Sequence, residues 1–279
     1  MSVIGLVLAT ALLSSPPVTL QDPGKPPLKS VHYAPRKGIG QPFSAVTDMR
    51  IQQDVAGQIS ESRQPTLTWT GKAGVTAATE GDGFSMRLTV EAVSAPRRAR
   101  GVEPGAGRTA NRLWGTVMPI RVEIDVDAKG RQERAQLKLP KGVKIPEGLR
   151  EPLQGFYGLL RALHVPLPVE PIGTGATWLV VGSRTEAGTA IERRTVWTLK
   201  QRKGRRLTLA FETTESADEQ LFESGGLPKG MDARLAGVSG VTRGELILDL
   251  GRPLPRQLTQ EGTLEMRVEG RAGTKPFVL

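Results

Sequence analysis

The sequence predicts a mainly β protein: a curved antiparallel sheet, as a half-barrel or as two repeated half-sheets, with one central amphipathic helix. Three observations carry that expectation. Apolar and polar residues alternate with a period of two over much of the chain past residue 30, and one segment breaks this rule with helical spacing. The 33 Gly and 21 Pro among 279 residues punctuate the alternating runs. Alternation puts one face of a strand on a core and the other in water, as in antiparallel sheets with a solvated side.

Val3 to Leu13 (VIGLVLATALL) is an apolar run of signal-peptide length, followed by Ser14, Ser15, Pro16 and Pro17. It predicts a signal peptide over 1–15 and a Pro-rich linker over 16–30, hence an exported protein, periplasmic or extracellular. The stretch before the run carries no Lys or Arg, and a buried N-terminal strand or helix is the alternative. No other run reaches ~18 apolar residues, so no further membrane-spanning helix is expected. Cysteine is absent, which removes disulfides, thiolate metal sites and a lipobox anchor together. A chain of this length can bury enough core to do without disulfides.

Residues 31–140 form the first predicted meander. Phe84, Met86, Leu88 and Val90 alternate with polar residues, as do Met118, Ile120, Val122, Ile124 and Val126. About six strands are expected here, with turns at Val55-Ala56-Gly57 and at Asp127 to Gly130. Within 141–170, Leu149, Leu153, Phe156, Leu160 and Leu163 are spaced by 4, 3, 4 and 3, one face of a helix over Glu147 to Leu163. Pro146 and Pro152 fit its entry, and Pro166 and Pro168 stop it. The second meander occupies 171–270, before a tail over 271–279. Its strands include Leu207, Leu209 and Phe211; Leu246, Leu248 and Leu250; and Leu264, Met266 and Val268, about five in all, with a turn at Lys203-Gly204.

Two stretches read as irregular. Ser94 to Arg112 is rich in Gly, Pro, Ala and Arg and predicts a long loop. Glu215 to Asp232 reads as a loop, or a short helix and a loop. Both halves close on a long hairpin, Ile124 to Leu139 and Leu246 to Val268, which suggests a weak internal repeat; an echo common to all β-meanders is the other explanation.

The layout, with Pro171-Ile-Gly-Thr-Gly-Ala-Thr-Trp178 opening the second meander, resembles a group of uncharacterised bacterial exported proteins. Gly175, Trp178, Asp249 and Gly251 match their lead and closing hairpin. More distantly it is similar to the lipoprotein carriers and lipid-binding lipoproteins of bacterial envelopes. That resemblance implies a half-barrel sheet wrapped on a helix, whose concave apolar face holds acyl chains. The lipobox cysteine that many such proteins carry is missing here.

Catalytic motifs do not assemble. The two histidines, His32 and His164, read as structural, His164 ending the helix where positive charge is favoured. No Gly-x-Ser-x-Gly elbow occurs, and Gly237 to Gly240 lacks its spacing. Gly101 to Thr109 has the glycines of a phosphate loop without its lysine. Asp125 to Gly130 is similar to a calcium loop, but Lys129 and Gln136 stand where oxygen ligands are required, so it reads as a hairpin turn. A non-enzymatic protein without metal or cofactor is expected.

The candidate ligand-binding residues are Leu149, Leu153, Phe156, Tyr157, Leu160 and Leu163, with Trp178 and Trp197. They either line a space for a lipid or an acylated protein or fill a closed core. The candidate anionic-surface residues are Arg97, Arg98, Arg100, Arg202, Lys203, Arg205 and Arg206, within wider basic runs that include Arg108, Arg112, Arg193, Arg194 and Lys200. With a net charge of +10 they would attract an anionic envelope surface. Nucleic acid is disfavoured, because the six Phe, four Trp and two Tyr do not cluster with the arginines. The alternative function is an envelope scaffold that meets partners through basic loops and sheet edges.

Overall fold

The computed structural model describes residues 16–55, 58–79, 83–96, 102–146, 149, 153, 156, 160, 163–186, 189–221, 232–272 and 275–278. The segment read as a signal peptide lies outside these residues. Strands β1 (Val18–Asp22) and β2 (Lys25–Lys29) come first, followed by β3 (Gly40–Thr47), β4 (Arg50–Val55), β5 (Gln58–Arg63), β6 (Leu67–Thr79) and β7 (Gly83–Ser94). Helix α1 (Ala106–Gly115) leads to β8 (Ile120–Val126) and β9 (Gln132–Lys138). The second half holds β10 (Ile172–Thr174), β11 (Thr177–Glu186), β12 (Thr189–Lys203), β13 (Arg206–Ala217), β14 (Gln220–Leu221), β15 (Asp232–Asp249), β16 (Gln257–Ala272) and β17 (Lys275–Val278).

These strands make two large open sheets. The first runs β3-β6-β7-β8-β9, and the second runs β1-β11-β12-β13-β15-β16-β17 with β14 beside β15. β2 pairs with β10, and β4 with β5. Every pairing is antiparallel. The mainly β class expected from alternation is therefore observed. The stretch 16–30, which composition reads as a linker, instead supplies a strand to the second sheet and one to the small pair.

Register explains the pattern. Phe84, Met86, Leu88 and Val90 lie opposite Val126, Ile124, Val122 and Ile120, so both apolar faces meet on one side. Each such side chain is almost fully buried, which stabilises the fold by roughly 1.5–3 kcal/mol apiece. In the second sheet Leu209 lies between Leu199 and Leu246, and all three are buried. One apolar cluster spans both sheets. A smaller one, of Ile191, Ala233, Leu235, Val238 and Val268, sits at the far end of the second sheet.

One helix was not expected. The stretch 94–112 is no simple loop: it ends in α1, which runs on to Gly115. Trp114 anchors α1 edge-on to Trp69, with ring centroids 4.7 Å apart. Asn111 takes the Ala95 N–H on Oδ1 at 2.6 Å and returns a hydrogen bond from Nδ2 to its carbonyl at 3.0 Å. The predicted central helix lies largely outside the described residues. Of its apolar face, Leu149, Leu153, Phe156 and Leu160 are buried, the last three in helical conformation. Phe156 stacks on Trp69 at 4.6 Å and 8°.

The segment from Val31 to Ala34 ties the two sheets together. Tyr33 N–H donates to Ala128 O in the β8–β9 turn (2.8 Å), and Ala34 N–H donates to Leu250 O in the β15–β16 turn (2.7 Å). Between them runs the chain from His164 to Pro168. Val165 N–H donates to the Tyr33 hydroxyl at 3.0 Å, and the Trp178 indole donates to Pro166 O at 2.8 Å. Lys129 Nζ donates to the carbonyls of Val31 (2.9 Å) and Pro168 (3.0 Å). Gly130 has φ +84°, and a Cβ there would stand 2.2 Å from Val165 O, so only glycine fits this approach.

Candidate functional site

Period-two alternation on long strands builds a series of rungs across the inner face of the second sheet. One rung is Trp178, Trp197, Phe211 and Gly244, on β11, β12, β13 and β15. The next is Val180, Thr195, Thr213 and Thr242, continued by Gly262 on β16. The third is Gly182, Arg193, Glu215, Gly240 and Leu264. Arg184 and Ile191 begin the fourth, which Ala217, Val238 and Met266 continue on the strands beyond. Residues directly opposite in an antiparallel pair share a face, so all of these point inward. The opposite face is charged and solvated, with ion pairs such as Arg243–Glu212 at 2.7 Å.

Burial changes along this series. Trp178, Trp197 and Phe211 are buried, their rings 6.5 and 4.8 Å apart. The Thr195 and Thr213 hydroxyls, also buried, share a hydrogen bond of 2.9 Å. Water reaches the third rung and the Arg184 that begins the fourth: the side chains of Arg184, Arg193 and Glu215 are 31%, 33% and 15% exposed. Beyond it Ile191, Leu235 and Val238 are buried again. A wetted, charged band thus divides two apolar regions.

Within the band Arg184 grips Glu215 with both prongs of its guanidinium, Nε at 3.0 Å and Nη2 at 3.2 Å. Such a bidentate fork fills two of the carboxylate's roughly four acceptor positions. Arg193 Nε is 3.9 Å from Glu215 Oε1, too far for a hydrogen bond, and this buried nitrogen has no hydrogen-bond partner. Burial lowers the Arg193 pKa; Glu215 opposes this and Arg184 adds to it. Among the described residues, Arg184 and Arg193 both face Glu215. Gly182, Gly240 and Gly262 carry no side chain on the flanking strands, and Leu264 Cδ1 and Thr242 Oγ1 fill the space over the last two, 2.8 and 2.3 Å from where a Cβ would stand.

The residues expected to bind ligand fall elsewhere. Leu149, Leu153, Phe156 and Leu160, with Trp178 and Trp197, are buried in the shared core, and Leu163 packs on its edge. Tyr157 lies outside the described residues. They act as core, and only the two tryptophans border the charged band. Of the expected anionic surface, Arg97, Arg98 and Arg100 lie outside the described residues. Arg202 reaches the carbonyls of Lys29 (3.4 Å) and Ser30 (3.5 Å), and Arg205 that of Ala34 (2.5 Å). These two arginines hold the segment that bridges the sheets, while Lys203 and Arg206 are exposed at the turn. Arg193, read as one more surface charge, is turned inward.

His164 also departs from expectation. Its Nδ1 accepts from Gln132 Nε2 at 3.0 Å, and the same amide donates to Leu160 O at 3.0 Å. The Nε2–H of the ring then donates to Pro253 O at 3.0 Å. Burial pushes its pKa down to about 4, against the hydrogen bond to Pro253, which raises it. The ring is therefore neutral at pH 7 and serves as a bridge between sheets, not as a positive helix cap. His32 is exposed. Among the described residues no group of His, Asp and Glu is placed to hold a metal ion, and no helix is long and apolar enough to cross a membrane. A scan of family models gives no match to this chain, and neither do searches of the curated proteins and of the solved structures.

Proposed function

We propose that this is an exported, non-enzymatic binding protein that holds an amphipathic ligand, a lipid or the acyl chain of a modified protein, against the inner face of its second sheet. The observation that carries this reading is the wetted polar band set between two apolar regions on one continuous face. Such an order suits a ligand with a polar head and an apolar tail. The apolar run at Val3 to Leu13, with Ser and Pro after it, supports export. Organic extraction of the protein purified from its native host, followed by mass spectrometry, tests the reading. Lipid recovered at near-equal stoichiometry supports it, and clean extracts would overturn it.

A second reading, that of an envelope scaffold, is favoured by one feature. The β4–β5 hairpin is an isolated pair, and Val46, Met49 and Ile59 on and beside it are 66%, 59% and 66% exposed. Exposed apolar side chains of this kind suit a partner surface. Replacing Ile59 by Asp would then abolish partner capture and leave lipid content unchanged.

A further inference from the structure

The turn end of the second sheet is strongly basic. β2 brings Lys25 and Lys29, which lie opposite Thr174 and Ile172 of β10. The closing end of the β12–β13 hairpin adds Lys200, Lys203 and Arg206, all exposed. Arg202 and Arg205 clamp the two together through the carbonyls of Lys29, Ser30 and Ala34. Arg36 and Lys37 follow on the same segment, exposed as well. The β15–β16 turn joins them, with Leu250 N–H donating to Arg205 O at 3.0 Å. Its Asp249 is occupied by Arg252 and Arg256. Residues 18–37, 166–176, 199–206 and 249–256 hold eleven cations and three carboxylates, most of the chain's +10 charge. Farther along the sheet the balance reverses: residues 207–221 hold Glu212, Glu215, Asp218 and Glu219 and no Lys or Arg. Ala217 lies eleven residues along β13 from Arg206, roughly 36 Å at the rise of a strand and several Debye lengths away. The charge is therefore directional.

Two apolar side chains stand out of this basic surface. Leu28, within Lys25-Pro-Pro-Leu-Lys29, is 43% exposed, and Val169 is 64% exposed. Lys129 Nζ donates to the carbonyls of both Val31 (2.9 Å) and Val169 (3.4 Å), which holds Val169 beside the segment that follows β2. Pressed among lipid headgroups, Leu28 and Val169 would reach hydrocarbon while the cations around them meet phosphate. We propose that this end of the molecule docks on an anionic lipid bilayer, with Leu28 and Val169 inserted at the boundary between headgroups and acyl chains. Nucleic acid fits the surface less well. Tyr33, the one Phe, Trp or Tyr in these segments, is buried and offers no base a stacking platform. Docked in this way, the acidic end of the second sheet points away from the membrane. The assignment does not rest on a ligand held within that sheet.

Sedimentation of the full chain with vesicles tests the surface, using equal parts phosphatidylglycerol and phosphatidylcholine against phosphatidylcholine alone. The mixed vesicles should bind about tenfold or more tighter, and added salt should weaken them. Equal binding to both, or none to either, would overturn the proposal. Each cation near the bilayer is worth about fivefold in affinity, so K203Q/R206Q should lose about 25-fold. R234Q/R243Q removes the same charge from farther along the sheet and should change nothing. An equal loss in that variant would trace the attraction to the overall charge and overturn the docking end. L28S/V169S distinguishes a bilayer from a soluble polyanion. It should weaken binding to the mixed vesicles and leave binding to polyphosphate, read by calorimetry, unchanged. Undiminished vesicle binding by L28S/V169S would make the basic end a polyanion site and overturn insertion. All six replaced side chains are exposed, so the variants keep the core intact.

Discussion

At the scale of single residues, His164 makes an acid-sensitive link between the halves. Unfolded, its ring takes up a proton near pH 6.5; folded, it does so only near pH 4. Between these values the unfolded chain binds more protons, so stability is complete above pH 6.5 and falls as pH drops toward 4. The whole difference is worth about 3 kcal/mol. Carboxylates act in a lower window. Burial raises the Asp249 pKa, but hydrogen bonds from Arg256 and Gly251 N–H, with the charges of Arg256 and Arg252, bring it below its usual value of 3.8. Its contribution is present above that pH and is lost on further acidification. Denaturant melts from pH 4 to 7 should therefore show stability declining on the acid side. His164→Gln should flatten that slope while lowering stability at pH 7. An unchanged slope in the variant would place the sensitivity elsewhere.

At the scale of elements, α1 shows what sequence patterning can and cannot reveal. The strands announced themselves, because Phe84 to Val90 and Ile120 to Val126 alternate cleanly and bury one face. Helix α1 (AGRTANRLWG) buries only Gly107 and Trp114 and has no acidic residue in its first turn and no side-chain cap. Its stability comes from tertiary contacts, Trp114 on Trp69 and Asn111 on Ala95, which local composition cannot encode. Asn111→Ala leaves the buried backbone of Ala95 without partners and should cost about 1–3 kcal/mol. Hydrogen exchange should then quicken across 106–115 before it does in β7 or β8; uniform quickening would mean that α1 is no separate unit. The charged band was hidden for a different reason. Its residues come from β11, β12 and β13 and meet only once the register is known. One signal was available in β12 all the same: Ile191, Trp197 and Leu199 share the parity of Arg193, which places that arginine, and not Arg194, on the buried side. The apolar stripe of 149–163 was legible as well, but spacing alone does not tell a filled core from a lined cavity.

At the scale of the whole molecule, two open sheets with separate hydrogen-bond networks would unfold separately if each had its own core. Here Leu88 and Ile124 of the first sheet belong to the same cluster as Leu209 and Leu246 of the second. The segment that carries Tyr33 and Ala34 is hydrogen-bonded to the closing turns of both sheets. His164 reaches Gln132 on one side and Pro253 on the other, and Gln41 of β3 donates to Pro255 O across the same junction at 3.1 Å. Losing either sheet would therefore strip cover from the other and leave these buried polar groups without partners. Unfolding should be a single cooperative transition. Leu88→Ala and Leu209→Ala, each costing about 2–5 kcal/mol, should lower the same calorimetric peak by similar amounts. The ratio of calorimetric to van't Hoff enthalpy should stay near one. If one variant split the peak, leaving a second half melting at the original temperature, the sheets would be independent units and the inner face of the second sheet would need no support from the first. If the peak stays single, that face is held in shape by the whole chain, and a ligand bound there should raise the melting temperature of both sheets together.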